Sequence, residues 1–282
     1  MGESKDRERL DRYLVRNKIV SSRERAKEMI LAGRILLDGC PAVKPSALID
    51  PESPPHVRVI GDILKYVSRG GLKMEKALEC FPVNVKDKVC LDGGASSGGF
   101  TDCMLMNGAE KVFAVDVGRG QLDGKLLADQ RVVSMEGINL RDLTPDMLGE
   151  KVDLISVDVS FISLTKVLLP LKSCLKPGGQ MICLIKPQFE AGKNRVGKKG
   201  VVKDSGVRKE VINNVIAFAR SIRLCAEGLT YSPVRGPEGN IEFLLYLTYD
   251  TESSDLPGRV GDEDISRITK EAEQALSSGK KS

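Results

Sequence analysis

Four charged residues of this chain stand at the ends of apolar runs. Asp92 follows Val89-Cys90-Leu91, Asp116 follows Val112 to Val115, Asp158 follows Leu154 to Val157, and Lys186 follows the run Gln180 to Ile185. Between the first two lies a string of small residues, Gly93-Gly94-Ala95-Ser96-Ser97-Gly98-Gly99, and then the helix-like segment Phe100 to Met106. Strand, glycine loop, helix, strand and acid, in that order, suit a bound nucleoside. Glycines turn tightly and let a ligand approach the backbone. The helix N-terminus offers unpaired N–H groups, and an acid at the tip of the second strand holds ribose hydroxyls. The loop is not the dinucleotide pattern G-x-G-x-x-G, because Ser96 occupies the second glycine position. That glycine admits a pyrophosphate, so the expected ligand is an adenosine-containing cofactor without one: S-adenosylmethionine.

The elements that carry these residues alternate between strand and helix. A third strand spans Val132 to Met135 and leads into Gly137-Ile138-Asn139-Leu140, and the fourth is Leu154 to Val157. A helix is expected over about 162–174, a turn at Lys176-Pro177-Gly178-Gly179, and a strand over 180–185. Residues 191–203 form a glycine- and lysine-rich loop, 205–221 a helix, and two strands close the series near 225–231 and 241–248. This is an α/β, Rossmann-like domain with a mostly parallel seven-stranded sheet and right-handed crossovers. Ligands of such sheets lie beyond the carboxyl ends of the strands, so Asp92, Asp116, Asp158 and Lys186 converge on one rim. Ahead of the first strand, Arg69-Gly70-Gly71 turns into a helix over Leu72 to Phe81 with Lys73 in its first turn. A cation is disfavoured there, so Lys73 needs a partner to explain it.

Composition narrows the classes. With 41% hydrophobic and 29% charged residues, the 282-residue chain is ordinary for a globular protein of one large and one small domain. No apolar run reaches the roughly 20 residues that span a bilayer, and the N-terminus MGESKDRERLDR is polar, unlike a secretory signal. Seven cysteines with no C-x-x-C spacing imply reduced thiols. The expected location is the cytoplasm. The one histidine, His56, sits in a Pro-rich linker, which argues against a histidine triad or a multi-histidine site, and no metal is expected.

The N-terminal stretch has its own character. Residues 6–34 read as two helices, the second opening at Ser21 with Glu24 completing a capping box. Between residues 5 and 34 there are ten Lys/Arg against five acids. Strand Ile35-Leu36-Leu37, the turn Asp38-Gly39, a short strand around Val43 and a further strand over His56 to Ile60 follow. Two basic helices before a small hairpin, with Ala32-Gly33-Arg34-Ile35 ahead of Asp38-Gly39, resemble the S4-like RNA-binding fold. The organisation is then an S4-like domain over 6–62, a linker and first helix over 63–86, the sheet domain over 87–250, and a polar tail over 251–282. Arg7, Arg12, Arg16, Lys18, Arg23 and Arg34, together with Lys193 and Lys198 of the later loop, are the candidate RNA-binding residues, acting on phosphates.

The phrases YVSRGGLKMEKAL, DGGASSGGFTDCMLMNGA, VDVSFISL, IKPQFEAG and GPEGNIEFL extend the likeness over 7–249. They resemble the ribose 2′-O-methyltransferases of the FtsJ-like class and, with the S4-like domain, the TlyA family of rRNA methyltransferases, long also labelled hemolysins. The resemblance implies a catalytic tetrad of Lys73, Asp158, Lys186 and Glu242. A 2′-hydroxyl must lose its proton as it attacks the sulfonium methyl, and a lysine whose pKa is lowered by burial and a second cation can take it. Lys186 is given that role, Lys73 is the second cation, and Asp158 and Glu242 position the lysines. The cofactor residues expected are Asp92, Gly94, Ser96, Gly98, Gly99, Phe100, Asp116, Asn139, Leu140 and Asp158. The substrate implied is a cytidine in small- or large-subunit rRNA, met as rRNA or ribosomal subunits, with no membrane and no protein partner. Other classes fit less well. An NAD(P) oxidoreductase lacks its glycine pattern, a membrane-lytic protein lacks a spanning segment, and a non-enzymatic assembly factor would leave the tetrad without purpose.

Overall fold

The computed structural model of the chain describes residues 7–20, 23–60, 65–250 and 258–277. The expected cap at Ser21 lies outside them. The N-terminal unit runs β1 (Glu8–Arg9), α1 (Leu10–Arg16), α2 (Arg23–Leu31), β2 (Ile35–Leu37), β3 (Cys40–Pro41), β4 (Leu48–Ile49) and β5 (Val57–Val59). Strands β3, β2 and β5 form one small sheet, and β1 pairs with β4. Leu10, Leu14, Ala26, Ile30 and Ile35 make a separate core, as the spacing of apolar residues in both helices predicts. The short strand expected around Val43 is displaced to Cys40–Pro41, where the left-handed Asp38 and Gly39 close a tight turn against Leu36 and Leu37.

The second unit continues with α3 (Gly70–Cys80), β6 (Val89–Gly93), α4 (Gly99–Met106), β7 (Lys111–Asp116), α5 (Gly124–Leu127), β8 (Val132–Glu136), α6 (Pro145–Leu148), β9 (Val152–Val157), α7 (Leu168–Cys174), β10 (Leu175–Ile185), α8 (Pro187–Glu190), α9 (Ser205–Ser221), β11 (Leu224–Tyr231), β12 (Phe243–Tyr249) and α10 (Asp262–Ser277). The seven-stranded sheet has the order β11-β12-β10-β9-β6-β7-β8. It is parallel from β10 to β8, and β12 runs antiparallel to both β10 and β11. Alternate residues of each strand serve opposite faces. Leu91, Ile155 and Cys183 pack under α7, α9 and α10, whereas Cys90, Leu154 and Ile182 pack under α3 and α4. Both faces are covered, which is why the central strands read as unbroken apolar runs.

Three expectations shift. The helix foreseen over 162–174 is broken into a 3₁₀ turn at Leu164–Lys166 and α7. Pro170 has no N–H to give the carbonyl of residue 166, so an α-helix cannot run through. The polar tail is not simply a tail. Its residues 258–277 include α10, which places Ile265, Ile268 and Ala272 in the sheet core, with Val260 just ahead of the helix beside them. An apolar stripe at helical spacing outweighs the polar composition. Finally, the stretch assigned to a linker already belongs to the second unit, since Tyr66 and Val67 are buried against α3 and α4. Arg25 of α2 donates to the carbonyls of Tyr66 and Val67, and the N–H of Val67 donates to Asp102 of α4 at 2.9 Å. The two units are thereby pinned side by side.

Candidate active site

The glycine loop is shaped by three residues with positive φ, Gly94 (+85°), Ser96 (+48°) and Gly98 (+91°). A side chain at Gly94 would put its Cβ 2.4 Å from the carbonyl oxygen of Asp158. The loop therefore lies against the end of β9, and the N–H of Asp158 donates to the Gly93 carbonyl. A Cβ at Gly98 would collide with Leu126 and Leu122, so this glycine seats the loop on the core rather than facing a cavity.

Asp92 holds the loop in place. Its Oδ2 accepts from the N–H and hydroxyl of Thr101 at 2.9 and 2.7 Å, and its Oδ1 accepts from Ser156 at 2.9 Å. Burial pushes its carboxyl up to about 6; the Thr101 and Ser156 bonds oppose that rise, and the nearby Asp158 charge adds to it. Asp92 was expected to touch the cofactor. Both its oxygens are engaged in joining β6, α4 and β9, although it borders the larger of the two cavities described below. Asp116, at the tip of β7, accepts from the backbone N–H of Ser96 and of Gly118 at 2.8 and 2.7 Å. Two contacts leave further lone pairs on a carboxylate that can accept about four.

Lys73, Asp158, Lys186 and Glu242, drawn from four separate segments, meet at the carboxyl rim of the sheet. Lys73 Nζ lies 2.8 Å from Glu242 Oε2 and 3.5 Å from Asp158 Oδ2, and Lys186 Nζ lies 2.6 Å from Asp158 Oδ1. Lys186 also donates to the Ser160 hydroxyl at 2.9 Å. Glu242 was expected inside the last strand and instead stands just before it. Because β12 is antiparallel, with Phe243 opposite Ile185, the start of β12 reaches the same rim as the ends of its parallel neighbours. Glu242 is fully buried, and Lys73 and Lys186 are 8% and 7% exposed. Two cations and two anions cancel, which makes such burial tolerable. Burial alone would lower the Lys73 ammonium, but Asp158 and Glu242 outweigh it and hold the pKa above the ordinary lysine value. Burial would raise Asp158, and the two lysines outweigh that and keep it lower. The cation in the first turn of α3 is thus explained by its two carboxylate partners. Gly236 backs this group: a Cβ there would lie 2.1 Å from Glu242 Oε1.

Two cavities share Gly94, Ser96, Asp158 and Ser160 in their walls. The smaller, about 340 Å³, is lined by Asp116, Gln121, Ile138, Asn139, Leu140, Val159 and Phe161 among others. The larger, about 700 Å³, holds Lys73, Lys186, Asp92, Gly99 and Phe100 on one side and Lys27, Met29, Leu31 and Arg34 of the N-terminal unit on the other. Gln121, Ser160 and Phe161 were missed from sequence. Phe161 is 91% exposed, has φ +65° and lies 4.9 Å from the ring of Phe189. An aromatic residue after a strand-end acid was the available signal.

The basic N-terminal residues divide. Arg16 pairs with Glu8 at 2.8 Å, and Arg23 pairs with the buried Asp11 at 3.2 Å, beside Arg9. Each is paired within its own unit while its side chain stays exposed, at 58% for Arg16 and 45% for Arg23. Arg7, Arg12, Lys18 and Lys198 are exposed, and Arg34 faces the larger cavity. The side chain of Lys193 lies outside the described residues.

Residues 66–249 match the FtsJ-like methyltransferase family and residues 8–53 the S4 domain. The chain is 43% identical over 247 residues to the 16S/23S rRNA (cytidine-2′-O)-methyltransferase TlyA of Mycobacterium tuberculosis, covering 87% of this chain and 91% of that protein. It is 41% identical over 240 residues to hemolysin A of Brachyspira hyodysenteriae, covering 85% and 99%. A solved structure of a hemolysin-designated chain from Streptococcus thermophilus superposes with a TM-score of 0.78 at 40% identity, over 99% of this chain and 100% of that one. Among the described residues no helix is long and apolar enough to cross a membrane.

Proposed function

Because the chain belongs to the FtsJ-like methyltransferase family and carries an S4 domain ahead of that fold, we propose that it methylates the ribose 2′-hydroxyl of cytidine in rRNA, with S-adenosylmethionine as methyl donor. The observation that carries this reading is the neutral buried cluster of Lys73, Asp158, Lys186 and Glu242 at the junction of two cavities. The smaller cavity fits the cofactor: glycine backbone at Gly94, a carboxylate at Asp116 for ribose hydroxyls, and Ile138, Asn139 and Leu140 for the adenine. S-adenosylmethionine supplies an electrophilic methyl group on a sulfonium. Asp158 and Ser160, common to both cavities, mark where that methyl meets the acceptor.

The two lysines divide the work. Lys73 is gripped by both carboxylates and its ammonium is favoured, so it serves as a fixed cation. Lys186 has one carboxylate and a hydroxyl, and it takes the proton from the 2′-hydroxyl. Holding acceptor and donor in line supplies much of the rate, since effective molarities of aligned groups reach about 10⁵ M or more. The cavity that contains the lysines is walled on its far side by Lys27 and Arg34 of the S4 domain. Phosphate contacts there hold the RNA while the target nucleotide leaves its stack and enters.

The test is to incubate free rRNA, subunits and ribosomes with the protein and S-adenosylmethionine and to map 2′-O-methylation. One or more cytidines should gain the mark. Lys186→Ala should still bind S-adenosylmethionine but transfer no methyl; full activity in that variant would remove Lys186 as the base.

A further inference from the structure

We infer that Ser160 is a positioning residue for methyl transfer, fixing the rotation of the Lys186 amine so that its lone pair faces the target hydroxyl. The inference rests on reading Lys186 as the base. A lysine nitrogen has four tetrahedral positions, one of them occupied by Cε. Ser160 Oγ, accepting at 2.9 Å, takes a second, and the charged Asp158 Oδ1 stands 2.6 Å from the nitrogen off the hydrogen-bond line. When the amine is neutral, one N–H stays on Ser160, and the Asp158 carboxylate attracts the other N–H and repels the lone pair, which is left to the remaining position. Lys186 lines the larger cavity, and Asp158 and Ser160 belong to the walls of both. With Asp158 alone, the amine would spin about the Cε–Nζ bond and present the lone pair only part of the time.

The placement of Ser160 is itself built into the fold. The loop after β9 is fastened to the segment carrying Lys186 at three successive points. Lys186 bonds Ser160, the Phe189 ring packs on Phe161, and Glu190 accepts from the Ser163 hydroxyl and, at 2.7 Å, from the N–H of Leu164. Phe161 holds φ +65° between these fastenings, a conformation an aromatic residue adopts only when its surroundings impose it.

In the step concerned, the ribose 2′-oxygen bonds the methyl carbon, the carbon–sulfur bond pair stays with sulfur, and the 2′-hydroxyl proton passes to Lys186 Nζ. The products are a 2′-O-methyl ribose, S-adenosylhomocysteine and a Lys186 ammonium. The charged groups clustered with that ammonium are Asp158 at the end of β9, Lys73 on α3 and Glu242 before β12, with Asp92 at the end of β6 in the same cavity wall. The same cavity is walled by Arg69 and Arg235 and, from the S4 domain, Glu24, Arg25, Lys27 and Arg34. Ser160→Ala changes none of these, so a change in rate reports on the seat of the Lys186 amine.

The experiment measures single-turnover methylation of rRNA, at saturating S-adenosylmethionine, for the wild type, Ser160→Ala and Ser160→Thr. Cofactor dissociation constants are measured by calorimetry in parallel. Ser160→Ala should lower the rate about 10- to 100-fold with cofactor affinity unchanged. Ser160→Thr, which keeps the hydroxyl, should restore the rate. A wild-type rate in Ser160→Ala would overturn the inference, as would a slow variant that threonine does not rescue or one that has lost cofactor affinity in proportion. Full activity of Lys186→Ala is a separate result: it removes the base, and the role of Ser160 with it.

Discussion

Asp92→Asn isolates the cost of the buried carboxylate beneath the glycine loop. In the folded protein this carboxyl titrates at about 6 rather than 3.8. A folded pKa above the unfolded one means that the native state binds more protons between these values, so stability falls as pH rises through that window. The difference corresponds to about 3 kcal/mol, fully expressed above pH 6 and absent below about pH 4. Asparagine keeps the shape and still accepts from Thr101. Its amide donates to Ser156, whose hydroxyl then turns to the Leu91 carbonyl, already 3.4 Å away. Other titrating groups are common to both proteins and cancel in the comparison. Urea unfolding followed by far-ultraviolet circular dichroism at pH 5, 6, 7 and 8 reads the difference, and with no tryptophan in the chain that probe is preferable to fluorescence. The variant should gain on the wild type steadily from pH 5 to 7 and then level off. A stability difference independent of pH would refute the account of Asp92 as a buried charge.

Two further outcomes follow from the geometry. Asp116→Ala should weaken S-adenosylmethionine binding by about 1–3 kcal/mol, because it removes the carboxylate offered to the ribose and frees the N–H groups of Ser96 and Gly118; an unchanged dissociation constant by calorimetry would end the ribose assignment. Gly236→Ala should displace the Glu242 carboxylate from Lys73 and cut the methylation rate about 10²-fold, while costing about 1–3 kcal/mol of stability through overpacking; normal turnover would show that this seat yields without effect.

Much of this site is visible in the primary structure because strand ends announce themselves. Asp92, Asp116, Asp158 and Lys186 each close an apolar run, and a parallel sheet must bring such ends to one edge. Glu242 obeys no such rule. It reaches that edge only because β12 runs antiparallel, and strand direction leaves no mark in the apolar pattern of Phe243–Tyr249. Steric facts such as the fit of Gly236 against Glu242 are set by atoms distant along the chain. The pairing of Arg16 and Arg23 is equally hidden, since a basic residue reads alike whether it faces solvent or a buried Asp11. The loop residues Ser160 and Phe161 lie inside a phrase that drew notice for its acid, and neither follows a periodic pattern.

The ion pair between Lys73 and Glu242 joins residues 169 positions apart. Closing a loop of that length is entropically costly and slow relative to local contacts. It also requires α3, β9, β10 and the start of β12 to be in place together. A partly folded chain can own a complete glycine loop, and so retain some hold on the cofactor, while having no assembled lysine–carboxylate cluster. Methylation is therefore a stricter gauge of the native fraction in a preparation than cofactor binding. During refolding from denaturant, the recovery of turnover should trail the recovery of cofactor affinity.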